Sequence, residues 1–408
     1  MYPDIVTISD TQVRNVIGNL LDFLGYKEVH KRLGRYKRSL ATAGPIYRDH
    51  YLRFRHPWWE GLRRYDELDR AAKSIRRNIT PEIQSLAVDA KKVTVLAHLM
   101  PESVKTKYRT NLLRSKTARA HLFELNVAWH FFTKGYSILW CEGDEGKRCE
   151  FVVDTGRLQF GVECKRVTVD SYRKIHRPDF YRLVEKLCAR VMKLGYCGRI
   201  RIELHGRLQK TDEFLDDISR EIVGLIDQGK KNGRYPISTG VVFTDLAPVR
   251  NVPVDLGDMY KELRKKKGRH AHGVIIAPPR DGRPVDPLEV IVASKQADSI
   301  LDGIGSQLRK AATDQLDEAS PGFIACFLEG VTELEELASD SGLQIMTCGL
   351  LSEERLGHIA AIAYQGEMLA REDIGVTDFF NQGLVFRNPN CRFAEAKNFA
   401  FLSPPLSR

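Results

Sequence analysis

No run of about eighteen apolar residues occurs anywhere in the 408-residue chain, so the sequence predicts no membrane-spanning helix. The Met1-Tyr2-Pro3-Asp4 start has no charged segment leading into an apolar one, so no signal peptide is expected either. The eight cysteines show neither Cys-x-x-Cys nor Cys/His zinc spacing, and Cys188 and Cys326 lie inside apolar runs. That pattern excludes a zinc-finger reading and predicts reduced thiols in a cytoplasmic protein. No phosphate-binding P-loop is present, and Gly303-Ile304-Gly305 lacks the third glycine and the preceding strand of a dinucleotide site, so ATP-dependent and NAD-type chemistry is not expected. Asp154-Thr155-Gly156 occurs once, whereas an aspartic protease needs two such triplets. His270-Ala271-His272 reads as a solvated loop pair rather than a metal site. There is no internal repeat and no low-complexity tract.

What is present is a globular composition with a local charge bias. A 43% hydrophobic content suffices for a sizeable core. Between positions 27 and 77 fifteen Lys/Arg stand against six Asp/Glu, a surplus of nine that nearly equals the net charge of +10 for the whole chain. Tyr36, Tyr47, Tyr51, Phe54, Trp58, Trp59 and Tyr65 are interleaved with these cations. The aromatics read as packing, and the basic excess reads as a surface for a polyanion, with DNA the expected partner and RNA the alternative.

Helical periodicity runs over about 5–24, 60–79 and 82–99, and no strand is expected before about 135, so 1–105 reads as an α-helical basic region. A long helix is expected over 108–134, with Phe123, Val127 and Phe131 on one stripe and Glu124 on its inner edge. A carboxylate there is costly unless partnered, by Arg119, by Lys165 or by a metal. A helix over 179–193 and a strand over 199–204 follow, and Arg173, Lys174, Arg177, Arg182 and Lys186 are candidates for a phosphate path. Apolar strand-like runs at 241–243, 273–277, 288–293, 323–328 and 359–363 are expected to extend the same sheet or to form a second subdomain.

Residues 149–166 carry the chemistry. Phe151-Val152-Val153 and 158–162 are two apolar runs around Asp154-Thr155-Gly156-Arg157, which predicts an antiparallel hairpin. With Asp154 paired to Arg157 across a two-residue turn, Glu150 falls opposite Gly161, and Glu163 and Lys165 lie further along on the same face. Two carboxylates in that diagonal relation can chelate one divalent cation beside an ammonium. Asp154 competes for the role of first acid but sits at the turn, roughly 20 Å along the strand from Glu163. Glu-x-Lys occurs three times, at Glu145, Glu163 and Glu395, and only Glu163-Cys164-Lys165 ends a buried-looking strand.

An acid, a spacer and Glu-x-Lys on the third strand of a small sheet resembles the PD-(D/E)xK superfamily of metal-dependent nucleases, over roughly 109–205. The resemblance departs in one place: the usual Pro-Asp is Cys149-Glu150 here. It implies a mixed α/β (α+β) fold, a restriction-endonuclease-like central sheet flanked by helices. The nuclease-like core would span 106–235, and 236–408 would form an α/β extension. It further implies a DNA endonuclease of restriction, phage-defence or repair type. Glu150, Glu163, the backbone carbonyl of Cys164 and, as an extra ligand, Glu124 would hold Mg²⁺, with Mn²⁺ able to substitute. Lys165 would stabilise the attacked phosphate, and double-strand cutting with one site per chain implies a homodimer. The alternative is a nuclease-like fold without catalysis, serving as a nucleic-acid-binding or assembly module.

Overall fold

The computed structural model describes residues 12–71, 78–141, 149–250, 252–267, 271–277, 279–280, 283–284, 286–331, 341–366 and 384–401. Seven described helices precede the first described strand: α1 (Val13–Leu24), α2 (Tyr26–Thr42), α3 (Pro45–His50), α4 (Trp59–Arg70), α5 (Pro81–Ala97), α6 (Glu102–Leu112) and α7 (Ala118–Thr133). Then come β1 (Ser137–Trp140), β2 (Phe151–Asp154), β3 (Gln159–Thr168), α8 (Arg177–Lys193), β4 (Tyr196–Leu204), α9 (Asp212–Asp227), β5 (Asn232–Ile237), β6 (Gly240–Pro248), α10 (Leu256–Lys267), β7 (Ala271–Ile276) and β8 (Leu288–Ser294). The chain continues through α11 (Ile300–Lys310), β9 (Gly322–Glu329), α12 (Gly342–Leu351), β10 (Ile359–Gly366), β11 (Leu384–Arg387) and α13 (Ala394–Lys397).

These elements form two compact units. The first gathers residues 1–41, 54–169 and 301–408, the second 42–53 and 170–300. Each has its own mixed sheet, ordered β1-β2-β3-β9-β10-β11 in the first and β5-β6-β4-β8-β7 in the second. The chain is therefore a mixed α/β protein with two sheets flanked by helices. The contiguous segments 1–105, 106–235 and 236–408 do not coincide with these units, because the chain leaves the first sheet after β3 and returns to it at β9.

One expectation is corrected here. Helix α8 and strand β4 do not follow β3 in its own sheet; they belong to the second unit. The strand beside β3 is β9, parallel to it, with Gly161, Glu163 and Lys165 level with Gly322, Ile324 and Cys326. Both β4 and β9 are apolar enough to be buried, so local pattern cannot choose between them. The expected long helix over 108–134 is also broken. Thr117 donates its hydroxyl to the carbonyl of Asn111 at 2.8 Å, and the chain turns between α6 and α7. The break matters for the site, because it makes residues 107 and 108 part of a separate helix.

In the first unit α7 covers one face of the sheet. Phe131 meets Phe160 and Phe323 edge-on at 5.5 and 6.0 Å, Phe123 stacks on Phe327, and Phe401 packs against Phe160 and Phe323. The interleaved aromatics divide: Trp58, Trp59 and Tyr36 are buried, with the Trp58 indole donating to Asp89 at 2.9 Å, while Phe54 is exposed. In the second unit the core lies between the sheet and α8 and α9, around Phe180, Leu187, Ile202 and Ile222. The antiparallel β4–β6 pair closes at Gly240, where a Cβ would lie 2.1 Å from the Glu203 carbonyl oxygen. Gly240→Ala is expected to cost about 1–3 kcal/mol, read as a lower urea midpoint with an unchanged slope.

Among the described residues no helix is long and apolar enough to cross a membrane. The eight cysteines are free thiols.

Candidate functional site

The hairpin forms, with a different register from the one counted on the sequence. Asp154 pairs with Gln159, not Arg157, and the connection is the four residues Thr155–Leu158. Side chains set this turn. Asp154 accepts from the Gly156 N–H at 2.7 Å and from Gln159 Nε2 at 2.8 Å, and the Thr155 hydroxyl accepts from the Leu158 N–H at 2.9 Å. Gly156 takes φ +78°, open to glycine at little cost. Asp154 is thus committed to the turn, as its position suggested. A two-residue slip keeps every side chain on its face but moves Glu150 toward the level of Glu163, because Phe151 now pairs with Val162.

The ladder is irregular at this point. The N–H of Glu150 donates at 3.0 Å to the carbonyl of Val162, the residue already opposite Phe151. Glu150 stands just before β2, outside the paired residues, so strand alternation does not fix the face its side chain takes. The Glu150 carboxylate reaches Lys107 Nζ of α6 at 3.2 Å.

Glu163 and Lys165 share one face of β3, the face of Ile324 and Cys326 on β9. Lys165 Nζ lies 2.6 Å from Glu163 Oε1, while Glu163 Oε2 is buried with no hydrogen-bond partner. Glu163 is 0% exposed. Burial pushes its carboxyl up to about 7; the Lys165 ammonium opposes this, and the negative charge of Glu150 adds to it.

Glu124 comes from the other side. It sits on α7, which covers the face carrying Phe160, Val162 and Cys164, so strand alternation does not place it beside Glu163. Tyr108 donates its hydroxyl to Glu124 Oε2 at 2.7 Å, and no ion pair to Arg119 or Lys165 forms; Arg119 instead meets Glu329 at 3.4 Å. Burial holds the Glu124 carboxyl well above the usual carboxylate range, and Glu150 raises it further, against Tyr108 and Lys107. The three acids are within electrostatic reach of one another: Glu150 and, more weakly, Glu163 act on Glu124, and Glu150 acts on Glu163. Burial alone would depress the Lys107 ammonium, but Glu150 and Glu124 outweigh it and hold the pKa above its ordinary value.

Lys107 and Tyr108 were missed in the sequence. In one unbroken helix over 108–134 Tyr108 has no reason to face Glu124, sixteen positions on, and Lys107 lies outside that range. The signal available was the Arg114-Ser115-Lys116-Thr117 stretch, whose polar side chains compete for backbone groups. Tyr108→Phe leaves a buried carboxyl oxygen without its donor, and thermal unfolding is expected to show a loss of about 1–3 kcal/mol.

The remaining candidates lie elsewhere. Glu145 falls outside the described residues, and Glu395 lies on the single turn α13. His270 falls outside the described residues, whereas His272 is partly buried on β7 with Nε2 3.6 Å from Asp170 Oδ1. Gly303 and Gly305 lie inside α11. Of the phosphate-path candidates, Arg182 and Lys186 are ion-paired to Asp212 at 2.9 and 3.4 Å within the second unit.

Among the described residues no three His, Cys, Asp or Glu side chains are gathered as a ready metal cage. Mg²⁺ keeps several waters and is held by one or two carboxylates plus substrate phosphate oxygens, and the buried free Oε2 of Glu163 is a ligand atom of that type. No family model matches the chain, and neither a curated protein nor a solved structure matches it.

Proposed function

We propose that this protein is a metal-dependent nuclease that hydrolyses phosphodiester bonds, with DNA as substrate and internal cleavage as the mode. The observation that carries the reading is Glu163: a fully buried carboxylate paired on one oxygen to Lys165, its other oxygen unsatisfied, with Glu150 in electrostatic reach. The buried Glu289, paired with Arg199, also leaves one oxygen without a partner; what sets Glu163 apart is complete burial together with a second acid, Glu150, in electrostatic reach. The order α7, β1, β2, β3 and then, after the second unit, α11 and β9 supports it too. Helix, three strands, helix, strand is the order expected of a restriction-endonuclease-like sheet, completed here across an insertion.

Glu150, Glu163 and the Cys164 carbonyl would hold Mg²⁺, with Glu124 as the extra acid. The ion would polarise the scissile phosphate and lower the pKa of a bound water. The chain's own part is positional. Glu150 stands just before β2 with its carboxylate at Lys107, and Tyr108 holds the Glu124 carboxyl by a hydrogen bond. Lys165 sits where an ammonium can face the non-bridging oxygens of an attacked phosphate and stabilise the charge that develops there. Lys107, half-exposed, neutralises Glu150 and is free to turn to a substrate phosphate once a cation takes its place.

A second reading is favoured by the same two lysines. Because Lys107 and Lys165 already neutralise Glu150 and Glu163, the cluster is also compatible with a nuclease-like fold that binds nucleic acid without cutting it. Incubating the protein with plasmid DNA, linear DNA and RNA in Mg²⁺ or Mn²⁺ separates the two. Cleavage of at least one substrate is expected, and its absence on all of them with both metals overturns the enzyme reading.

A further inference from the structure

The structure sorts the cations of the basic N-terminal region into two groups. On α4, Arg63 is held by Glu60 and Glu67, Arg64 by Glu60 and Glu82, and Arg70 by Asp66. On α2, Arg32 pairs with Glu28 and Lys37 with Asp66. These side chains are spent on the fold, and their charge is largely cancelled at the surface.

Lys27, Lys31 and Arg35 differ. All three are exposed, and among the described residues they form no ion pair. Their nearest acid is Glu28, which Arg32 already holds by a 2.6 Å hydrogen bond and whose carboxyl Lys31 and Arg35 help, more weakly, to depress. With Arg38, also exposed, they repeat at intervals of four, four and three residues, which confines them to an arc of about 80° on a helix of 3.6 residues per turn. The buried residues Val29, Leu33, Tyr36 and Leu40 lie on the opposite side of α2. The cationic row from 27 to 38 is about 16 Å long. That is enough to meet about three successive phosphates of one strand, and no carboxylate lies within the row itself.

We infer that this outer face of α2 is a contact surface for the phosphodiester backbone of double-stranded DNA. It would serve as a sequence-independent grip in the same compact unit as the Glu163 site. The inference rests on the nucleic-acid part of the proposed function but not on cleavage. A row of cations on aliphatic stems neutralises phosphates and supplies affinity and salt dependence rather than sequence preference.

The test measures affinity for a duplex of about 20 base pairs across a salt series, in EDTA, on the full chain. It compares wild type, the triple variant Lys27→Gln/Lys31→Gln/Arg35→Gln, and a charge-matched control, Lys193→Gln/Lys210→Gln/Lys295→Gln, built on exposed cations of the second unit. In the α2 triple the slope of log affinity against log salt should become shallower by about 0.9 per lost contact, near 2.7 in all. Affinity at 50 mM salt should fall at least about tenfold, and the control should shift the slope by less than one contact. Equal losses in both triples would mean that net charge alone is read, which overturns the surface assignment, as does a wild type that does not bind the duplex. A wild type that binds with this slope pattern yet cleaves nothing sinks the nuclease and leaves the α2 surface standing. A protein that cleaves while the α2 triple keeps the wild-type slope does the reverse.

Discussion

Lys165→Ala is expected to lower the cleavage rate by about 10²–10³ in saturating Mg²⁺ or Mn²⁺ while leaving duplex affinity in EDTA within about twofold. The magnitude is that of removing one charge-stabilising donor from a site where charge develops in the transition state, about 3–4 kcal/mol of barrier. Lys165 suits that role because its side chain is only 17% exposed, so its field is screened less than a surface lysine's would be. Loss of the ammonium removes the donor to Glu163 Oε1 and, among the described residues, leaves the buried carboxylate without a hydrogen-bond partner. The carboxyl then moves further upward and protonates more readily, which limits the damage to the fold. Thermal unfolding should therefore show a folded variant, and the companion Lys165→Ala/Glu163→Gln should unfold no earlier than Lys165→Ala alone. Cleavage by Lys165→Ala at the wild-type rate would remove Lys165 from the mechanism even if the enzyme reading survives.

The second large effect is on stability. In the metal-free protein Glu163 is held up to about 7 by burial, against an ordinary 4.5. Between those two values the folded state keeps a proton that the unfolded chain gives up, so stability falls as pH rises through the window and levels off above it. The shift corresponds to about 3 kcal/mol, present below pH 4.5 and lost above pH 7. Glu163→Gln carries a neutral group at every pH. In EDTA it should match wild type near pH 5 and be more stable by up to about 3 kcal/mol at pH 8, even after losing the charge of the Lys165 pair, because the upward shift is already net of that attraction. Added Mn²⁺ should raise the melting temperature of wild type at pH 8, since a bound cation relieves the same buried charge, and should leave Glu163→Gln unmoved. A variant less stable than wild type at pH 8 would mean that the carboxylate is a net contributor to the fold, and the case for a strained, metal-ready acid would fail.

These expectations depend on how residues 149–166 fold. The apolar runs around Asp154-Thr155-Gly156-Arg157 made the hairpin legible, because alternation and turn chemistry are local properties of the chain. The turn length was less legible. The Thr155 hydroxyl and the Asp154 carboxylate each bond within the turn, and together they favour the four-residue connection over the two-residue one. Glu124 was visible as an acid on an apolar helix edge, but its partner was not. The break at Thr117 brings Tyr108 to it, and a sequence periodicity that runs through the break hides that.

The sequence by itself determined the class of each segment: an all-helical basic beginning, a hairpin carrying Glu163 and Lys165 on one face, and apolar strands buried on both sides. Periodicity and turn residues act over a few positions, and nothing far away alters them. Only the tertiary structure decided which strands share a sheet with the hairpin, sending β4 to the second unit and setting β9 beside β3. It alone also decided that Glu150 meets Lys107 and which cations of the basic region are consumed by the fold. Those outcomes depend on competition among partners distant in the chain, where several choices have equal local merit and packing selects one.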